Sequence, residues 1–504
     1  MKKSKILISL VLACMMLLSA CGGSAPAATT EAAAPAAASY TGTAQGMGGE
    51  VSVTLTIENG VITDCVATGD KETDGIGSVV IAQFPTQVVE GNTINLDAVS
   101  GATITSNAFI EAAKAALTAA GLNPDDYMTK VAAAAAGDVT KEADVVIVGA
   151  GGAGMTAAMT ASDAGKSVII LESQAMVGGN SVRSTGGMNA AKTVYQDENE
   201  FGEGAGVEKM LKSAADNYAD NEFITSLAAT VAQQWADYQA NPVGYFDSVE
   251  LMELDTMVGG KGINNPELVK TLVEGTAPAI DWLDENGMSL HNVAAFGGAS
   301  VKRIHRPVNE EGKVVSVGAY LVPLMEKACQ DRGVEFILNT TADTILTDES
   351  GKAVGVSGTD KDGNTVTVNA KAVVLATGGF GANLDMVASY KPELKGFMTT
   401  NAPGIQGQGI AMATAIGAAT VDMDQIQIHP TVEANTSALI TEGLRGDGAI
   451  LVNANGERFT DEVSTRDKVS AAEIAQPGSF SWLIVDQAMA DASNVIQGYI
   501  TKGY

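Results

Sequence analysis

The sequence contains few cysteines, histidines and basic residues, and each shortage excludes a class of protein. Its 504 residues include 4 Cys and 3 His, and 30 Lys and Arg stand against 59 Asp and Glu. The net charge of −29 argues against a nucleic-acid partner, because a phosphate backbone requires a basic surface. Three histidines leave little room for a histidine-rich metal site, and the sequence has no CxxC pair and therefore no c-type haem motif.

The residues that are abundant favour a large folded protein with nucleotide-binding loops. A chain of 504 residues predicts about three domains, and a hydrophobic content of 46% excludes a disordered chain. Glycine accounts for 56 residues, about 11%, against an average near 7%. Such an excess is typical of loops whose backbone lies close to a nucleotide.

The N-terminus predicts export. Three lysines precede an apolar run over residues 6–18, which is too short for a transmembrane helix, and Leu-Ser-Ala-Cys21 follows. This segment resembles a bacterial lipobox, which implies cleavage before Cys21, a diacylglyceryl anchor and a place on the extracytoplasmic face of the cell membrane. An ordinary secretory signal is the alternative. Cleavage would change the net charge from −29 to −32, because residues 1–20 carry three lysines and no acid.

The remaining chain divides by composition and periodicity. Residues 22–38 are small and of low complexity, as in a tether, and residues 51–57 alternate as in a half-buried strand before an Asn59-Gly60 turn. Strand–glycine turn–helix–strand patterns begin at Ala143. The predicted units are a signal peptide (1–20), a tether (21–38), a small α+β domain (39–122), a linker (123–142), an α/β domain (143–430) and the start of a capping domain (431–504).

The first motif lies at the predicted start of a helix in the small domain. Gly101 and Ala102 permit close approach of a bulky group, and the helix-start amides suit a phosphate. A hydroxyl there, on Thr103 or Thr105, could be esterified. From the residues alone, an ordinary helix N-cap is the alternative.

The same segment resembles the FMN-binding domain of the sodium-pumping quinone reductase and of flavinylated extracellular reductases. The D-x-x-S-G-A-T signature matches Asp97, Ser100, Gly101, Ala102 and Thr103, and residues 72–77 resemble the ETPGIG loop with Asp74 in place of proline. The resemblance implies FMN joined covalently to Thr103 by a flavin transferase, with Asp97 and Ser100 in the recognition motif.

The second motif is a dinucleotide fingerprint. A buried strand, Asp144 to Val148, runs into Gly149-Ala-Gly151-Gly-Ala153-Gly154 and a helix, and a second strand ends at Glu172. The glycines allow the tight turn and approach of a pyrophosphate, and Glu172 suits ribose hydroxyls. The fingerprint alone does not separate FAD from NAD.

Later motifs resemble those of fumarate reductase and succinate dehydrogenase flavoproteins, and most closely the soluble flavocytochrome c fumarate reductases. They include a GGNS and STGGMNA segment after the fingerprint, a later H-R-P stretch and an ATGGF run. The resemblance implies a Rossmann-like domain with non-covalent FAD beneath a capping domain. It places further FAD contacts at Asn180, Ser181, Gly186, Gly187, Ala342 and Gln408, where Gln408 replaces a family aspartate.

A third constellation gathers His429, Thr441, Glu442, Arg445 and Arg466. Two arginines and a histidine near a flavin make a site for a dianion, because guanidinium forks bind carboxylates. Surface ion pairs, between Glu442 and Arg445 and between Arg466 and Asp467 or Glu462, are the alternative from the residues alone.

The resemblance implies roles for these residues. His429 and Thr441 would bind one substrate carboxylate, near Gly187. Arg466 would protonate one alkene carbon, with Glu442 and Arg445 relaying the proton, after hydride transfer from FAD N5 to the other carbon. We interpret His305 and His291 as structural residues.

The resemblance predicts an exported flavoprotein reductase that carries electrons from a membrane or extracellular donor through FMN to FAD. Fumarate is the favoured substrate, and urocanate or another enoate is the alternative. A second alternative is an FMN-carrying electron-transfer lipoprotein with an inactive FAD domain. We expect the sequence to be truncated within the capping domain at Tyr504, because the family carries a second carboxylate-binding histidine and arginine further on.

Overall fold

The structure is a computed structural model that describes residues 37–72, 76–99, 102–129, 137–295, 299–310, 312–446, 448–492, 494–501 and 503–504. Its first unit is a three-stranded antiparallel sheet in the order β1-β2-β3, covered on one side by helices. The elements of this unit are β1 (Ala38–Gln45), β2 (Glu50–Glu58), β3 (Val61–Thr68), α1 (Gly77–Gly91) and α2 (Thr103–Ala119).

Alternation along β2 builds the core of this unit. Val51, Val53 and Leu55 are fully buried, as the period-2 pattern predicts, and the chain reverses through Asn59 and Gly60 at φ of 52° and 77°. Helix α2 lies so close to β1 that a side chain on Gly42 would lie 2.1 Å from the Ala112 carbonyl oxygen. The middle of α2 is therefore packed closely against β1.

From residue 139 onward, strands and helices alternate into a second, larger body. In chain order they are β4 (Val139–Val148), α3 (Gly152–Asp163), β5 (Val168–Leu171), α4 (Gly179–Val182), β6 (Met188–Asn189), α5 (Gly204–Asn217), α6 (Glu222–Ala240), α7 (Val249–Gly259), α8 (Pro266–Glu274), α9 (Thr276–Glu285), β7 (Asn292–Ala294), β8 (Ile304–Arg306), α10 (Val317–Asp331), β9 (Glu335–Ile337), β10 (Thr340–Thr347), β11 (Ala353–Asp360), β12 (Thr365–Leu375), α11 (Leu384–Tyr390), α12 (Gln408–Ala415), α13 (Gly443–Gly446), β13 (Ile450–Val452), α14 (Arg466–Ile474), β14 (Trp482–Ile484), α15 (Gln487–Ala492) and α16 (Asn494–Thr501).

The main sheet of this body has the strand order β10-β11-β12-β4-β5-β9. Strands β12, β4, β5 and β9 run parallel, whereas β10, β11 and β12 form an antiparallel meander. This arrangement confirms the predicted α/β, Rossmann-like class, and it brings the carboxyl ends of β4 and β5 to one edge, where ligands bind in such sheets.

Part of the predicted linker 123–142 is regular structure. The Tyr127 hydroxyl donates a 2.7 Å hydrogen bond to the Gly60 carbonyl, which ties a 3₁₀ turn, Pro124–Tyr127, to the first unit. Strand β4 begins at Val139 rather than near residue 143, because Val139 to Glu142 pair with β12. The charged residues at the start of β4 lie outside the buried core of the sheet, so this part of the sequence resembles a linker.

The C-terminal region from residue 431 is a small body in which β13 pairs antiparallel with β14. Its own cluster of buried side chains includes Leu444, Ala449, Ala490 and Ile496. Within the described part of the chain, no helix is long and apolar enough to cross a bilayer.

Candidate active site and flavin-binding sites

A cleft of about 230 Å³, open to solvent, lies at the carboxyl ends of β4 and β5. The turn from β4 into α3 needs its glycines. Gly149 has a φ of +102°, and a side chain on Gly154 would lie 2.0 Å from the Gly149 carbonyl oxygen. Gly151 is the residue before α3, and Gly151, Gly152 and Ala153 line the cleft, so the helix start lies where it suits a pyrophosphate.

Glu172, at the end of β5, lies in the wall of this cleft and is buried. Its carboxylate accepts hydrogen bonds from the Ala150 amide (2.9 Å), the Gln174 amide (2.9 Å) and the Ser173 hydroxyl (3.2 Å). The predicted ribose-binding acid is thus positioned by the phosphate-binding turn itself. Helix-start amides beside a carboxylate fit the pyrophosphate and ribose of a dinucleotide.

Most of the predicted dinucleotide contacts line the cleft. They are Gly149, Gly151, Ala153, Glu172, Asn180, Ser181, Ala342 and Gln408. The Ser181 hydroxyl accepts from the Gly152 amide at 3.0 Å, and Asn180 bonds Asn401 and the Ala402 amide. Other residues that line the cleft were not predicted as dinucleotide contacts from the sequence, among them Ser173, Gln174, Thr340, Thr341, Thr377 and Ile405.

Gly154, Gly186 and Gly187 are not among the residues that line the cleft. Gly154 serves helix–strand packing, as described above. Gly187 lies instead against β8, where a side chain would come within 2.5 Å of the His305 carbonyl oxygen. Close packing against the backbone of β8 therefore explains why position 187 is a glycine.

The predicted FMN site lies at the start of α2 in the first unit. Thr103 is the first residue of the helix and is exposed, as is Asp97, whereas Ala102 is buried at the cap position. The Ser106 hydroxyl bonds the Ala102 carbonyl and the Val99 amide, each at 3.0 Å, and so fixes the turn before the helix. Ser100 and Gly101 lie outside the described residues.

A buried carboxylate supports this turn from the neighbouring loop. Glu72 is only 8% exposed, accepts a hydrogen bond from the Thr105 hydroxyl, and accepts another from the Gly48 amide at 3.0 Å. The loop that resembles ETPGIG therefore contacts the helix that begins with Thr103. Residues 73–75 of that loop are outside the described part of the chain.

Three charged residues from separate places in the C-terminal region form one chain of contacts. Both Arg466 Nε (2.9 Å) and Nη2 (2.7 Å) donate to Glu442 Oε2, and Arg445 Nη2 lies 3.4 Å from Glu442 Oε1. The ion pair between Glu442 and Arg445, three residues apart, is present as expected of a helix. Arg466 pairs with Glu442, which precedes it by 24 residues, and not with Asp467 or Glu462.

Arg445 is the buried end of this chain, with 2% of its surface exposed. Its Nη1 donates to the Glu462 carbonyl at 2.8 Å, and burial lowers the pKa of its guanidinium. Arg466 is the accessible end, because a third of its side chain is exposed. A path of charge-assisted contacts therefore leads from an open position into the protein.

His429 lies beside this chain and is neutral at ordinary pH. Burial and the charge of Arg466 lower the pKa of its imidazole from 6.5 to about 4. Nδ1 lies 3.0 Å from the Thr431 carbonyl oxygen and 3.3 Å from the Thr431 amide, so the backbone fixes the ring in either tautomer. The structure thus brings His429 together with the two arginines.

Two contacts in this region were missed by sequence reasoning. Gln427 Oε1 accepts from Arg466 Nη1 at 2.9 Å, and the Tyr499 hydroxyl accepts from the Thr441 amide at 3.0 Å. Gln427 precedes His429 by two residues, and this short spacing was the available signal. Tyr499 is 58 residues from Thr441, and nothing local points to it.

The other two histidines have structural contacts. His305 is fully buried, with Nε2 2.7 Å from the Thr193 hydroxyl and Nδ1 2.7 Å from the Arg303 carbonyl. His291 is exposed, stacks on Tyr195 at 4.0 Å and pairs with Asp284. Neither contacts the Arg466–Glu442–Arg445 chain.

Known families match both units. The family described as FAD binding domain matches residues 144–247 and 221–490, and the FMN-binding domain family matches residues 46–118. The chain is 38% identical over 451 residues to an NADH:fumarate oxidoreductase of Klebsiella pneumoniae, covering 86% of this chain and 42% of that relative. It is 33% identical over 467 residues to a urocanate reductase of Eggerthella lenta, covering 91% and 69%.

A solved structure of similar fold is the open conformation of a flavocytochrome c3 fumarate reductase. It matches at 34% identity and a TM-score of 0.57, covering 73% of this chain and 57% of that one. The chain spans about half the length of the first curated relatives that it matches. On these matches and on the cleft geometry, the chain belongs to the fumarate reductase-like family of FAD-dependent oxidoreductases acting on CH–CH groups, and it carries an N-terminal FMN-binding domain.

Proposed function

We propose that this protein reduces the double bond of a small α,β-unsaturated carboxylate, with fumarate as the favoured substrate. The observation that carries the proposal is the contact chain Arg466–Glu442–Arg445, whose exposed end is an arginine. Relatives named for the reduction of fumarate, acrylate and urocanate support the enoate class.

Arg466 has the features of a proton donor to substrate carbon. Its Nε and Nη2 point to Glu442 and its Nη1 to Gln427, so the guanidinium plane is fixed while the side chain stays partly open. Arginine is a poor acid in water because it keeps its proton far above neutral pH. As Arg466 loses its proton, the adjoining Glu442 carboxylate takes a proton from Arg445 and passes it to Arg466, which makes the transfer feasible in a dry site.

His429 is suited to hold one substrate carboxylate. When its Nδ1 accepts from the Thr431 amide, its Nε2 carries the hydrogen and donates it. A neutral imidazole, with the two arginine charges nearby, binds an anion without adding a third positive charge to the site. Thr441, whose amide is held by Tyr499, would contribute its hydroxyl to the same carboxylate.

The cleft beside β4 and β5 would hold FAD through the Gly149–Gly154 turn and Glu172. When bound, FAD supplies the hydride for the double bond. The polypeptide's contribution is to orient the substrate, exclude water and deliver the proton from Arg466.

We also propose that FMN is esterified to Thr103 and passes electrons to FAD, and that a lipid on Cys21 anchors the protein outside the cytoplasm. Exposure of Thr103 at a helix start whose preceding turn is fixed by Ser106 supports the first step, since a transferase needs an accessible hydroxyl. The lipobox-like sequence supports the second, and Cys21 lies outside the described residues. Labelled palmitate incorporated by the native sequence and not by Cys21→Ser is the expected result, and equal labelling would contradict the anchor.

The activity is tested with purified full-length protein, reduced viologen dye and a panel of fumarate, acrylate and urocanate. We expect oxidation of the dye with at least one acid, and most rapidly with fumarate. If turnover is fastest with urocanate, urocanate and not fumarate is the preferred substrate. No turnover with any acid, in protein that contains both flavins, would favour an FMN-carrying electron-transfer protein instead.

A further inference from the structure

Two short segments, one from each unit, pack across the boundary between the units. Ile76, the residue just before α1 in the first unit, packs against the buried cluster that α3 forms with β4 and β5 in the second body. In return, Ala175 and Met176 of the second body pack against the buried core of the first unit. All three side chains are partly buried. The contact is therefore apolar and reciprocal, as at an interface between docked domains.

On the first unit, Ile76 is tied to the helix that begins with Thr103. The Glu72 carboxylate accepts a hydrogen bond from the Thr105 hydroxyl, two residues beyond Thr103. A side chain on Gly77 would lie 2.6 Å from Glu72 Oε2 and 3.0 Å from Thr105 Oγ1. Gly77, the neighbour of Ile76, thus packs directly on this carboxylate and on the first turn of α2. The predicted attachment point for FMN and the apolar contact are therefore close together in the first unit.

On the second body, Met176 lies between residues that line the FAD cleft. Gln174 and Gly178, on either side of it, belong to the cleft wall. The Gln174 amide donates a 2.9 Å hydrogen bond to the Glu172 carboxylate, and the Gly178 amide donates one of 2.9 Å to the Ala150 carbonyl. Both ends of this short segment are thus fixed. The apolar contact therefore lies on backbone that also shapes the cleft.

We propose that Ile76 and Met176 dock the FMN-binding domain against the wall of the FAD cleft, and that this docking sets the separation of the two flavin sites. The inference rests on the proposed transfer of electrons from FMN to FAD. Overall, two electrons and two protons pass from reduced FMN to FAD, and no covalent bond to the chain changes. Because electron tunnelling slows steeply with distance, a domain that is only tethered would transfer electrons from a small fraction of its conformations.

An aspartate at position 76 tests the docking, because a charge inside an apolar contact is costly unless the contact opens. Val66→Asp places the same charge on an exposed apolar site of the first unit and is the matched control. Ile76→Val keeps an apolar side chain and is the conservative variant. Met176→Asp tests the same contact from the second body.

The first readout is the initial rate at which hydrogen peroxide oxidises Met176, measured by peptide mass spectrometry on the flavin-free full chain. Oxidation of a thioether follows its exposure, so a docked Met176 should react more slowly than Met398, which is 43% exposed. We expect faster oxidation of Met176 in Ile76→Asp and the native rate in Val66→Asp and Ile76→Val. A native Met176 as reactive as Met398, or an unchanged rate in Ile76→Asp, would overturn the docking.

The second readout is reoxidation of the fully reduced, flavin-loaded protein by fumarate. We expect FAD to be reoxidised in a first phase, and FMN, through FAD, in a second. In Ile76→Asp and Met176→Asp the second phase should slow at least about tenfold with the first unchanged, because only the docked population transfers electrons. Val66→Asp and Ile76→Val should match the native protein in both phases.

An unchanged second phase in both variants at the contact, with a normal first phase, would overturn this inference alone. A native protein that lacks the second phase would also overturn it. A native protein that lacks both phases would overturn the proposed reduction of an enoate, and the peroxide result would still decide whether the domains dock. Equal flavin content and equal thermal midpoints across the variants verify that misfolding is not the cause.

Discussion

Arg466 places two of its nitrogens on one oxygen of Glu442, Nε at 2.9 Å and Nη2 at 2.7 Å. Gln427 Oε1 holds the remaining nitrogen at 2.9 Å. A guanidinium that is fixed on three sides retains one orientation, so its protons are presented in a constant direction. Lysine has the same charge but lacks this planar fork.

Arg466→Lys is therefore expected to lower kcat for fumarate by about 100-fold, within the range for a lost general acid. The loss follows because an ammonium cannot bond Glu442 and Gln427 and still reach the substrate in one geometry. Steady-state kinetics with reduced dye measures the change. Lys468→Ala, an exposed change on the same helix, is the control, and equal losses in the two variants would contradict the role of Arg466.

Thr103→Val should abolish covalent flavin, because valine has nearly the shape of threonine but no hydroxyl to esterify. The flavin fluorescence of a band that has passed through a denaturing gel measures attachment. The protein is coexpressed with a flavin transferase. Ile104→Val, another exposed change on the first turn of α2, is expected to keep the fluorescence. Fluorescence that persists in Thr103→Val would place the flavin on another residue.

The lowered pKa of His429 makes the stability of the protein depend on pH. Its folded pKa of about 4 lies below the ordinary 6.5, so between these values the unfolded chain binds a proton that the folded chain does not. Stability from this residue is therefore present above pH 6.5 and is lost as the pH falls toward 4. The drop in thermal midpoint between pH 7 and pH 4.5 should be smaller in His429→Gln, and an equal drop would contradict the lowered pKa.

The same substitution should weaken substrate binding. Losing a hydrogen bond to a carboxylate costs about 1.5–3 kcal/mol, which corresponds to a KM roughly 10- to 100-fold higher for fumarate. An unchanged KM would remove His429 from the carboxylate site.

Gly154→Ala should reduce FAD content and stability together. The added carbon would lie 2.0 Å from the Gly149 carbonyl oxygen, so the helix must move away from the turn that faces the cleft. Overpacking of this kind costs about 1–3 kcal/mol. Flavin released by denaturation and the thermal midpoint give the two readouts. Gly202→Ala has open space around it and is the control, and full FAD content in Gly154→Ala would contradict the packing argument.

Local sequence patterns predicted the strands, turns and helices of the flavin-binding units. They did not predict the contacts between residues that are far apart in the sequence. The strand–glycine turn–helix fingerprint predicted the cleft because a tight turn restricts residue type at each position. The association of Arg466 with Glu442 followed only from a family resemblance, since helix spacing alone favoured a local pair. Tyr499 was not predicted, because its contact with Thr441 depends on how the last helix packs. The early start of β4 was missed because only pairing with β12 makes its charged end a strand.

The decisive measurement is the rate at which fumarate reoxidises the flavin of the reduced full-length protein, in the native sequence and in Arg466→Ala. We expect rapid reoxidation with formation of succinate by the native protein, and a rate lower by at least about 100-fold in Arg466→Ala at equal FAD content. Equal rates in the two proteins, or no succinate from either, would contradict proton delivery by Arg466 to an enoate.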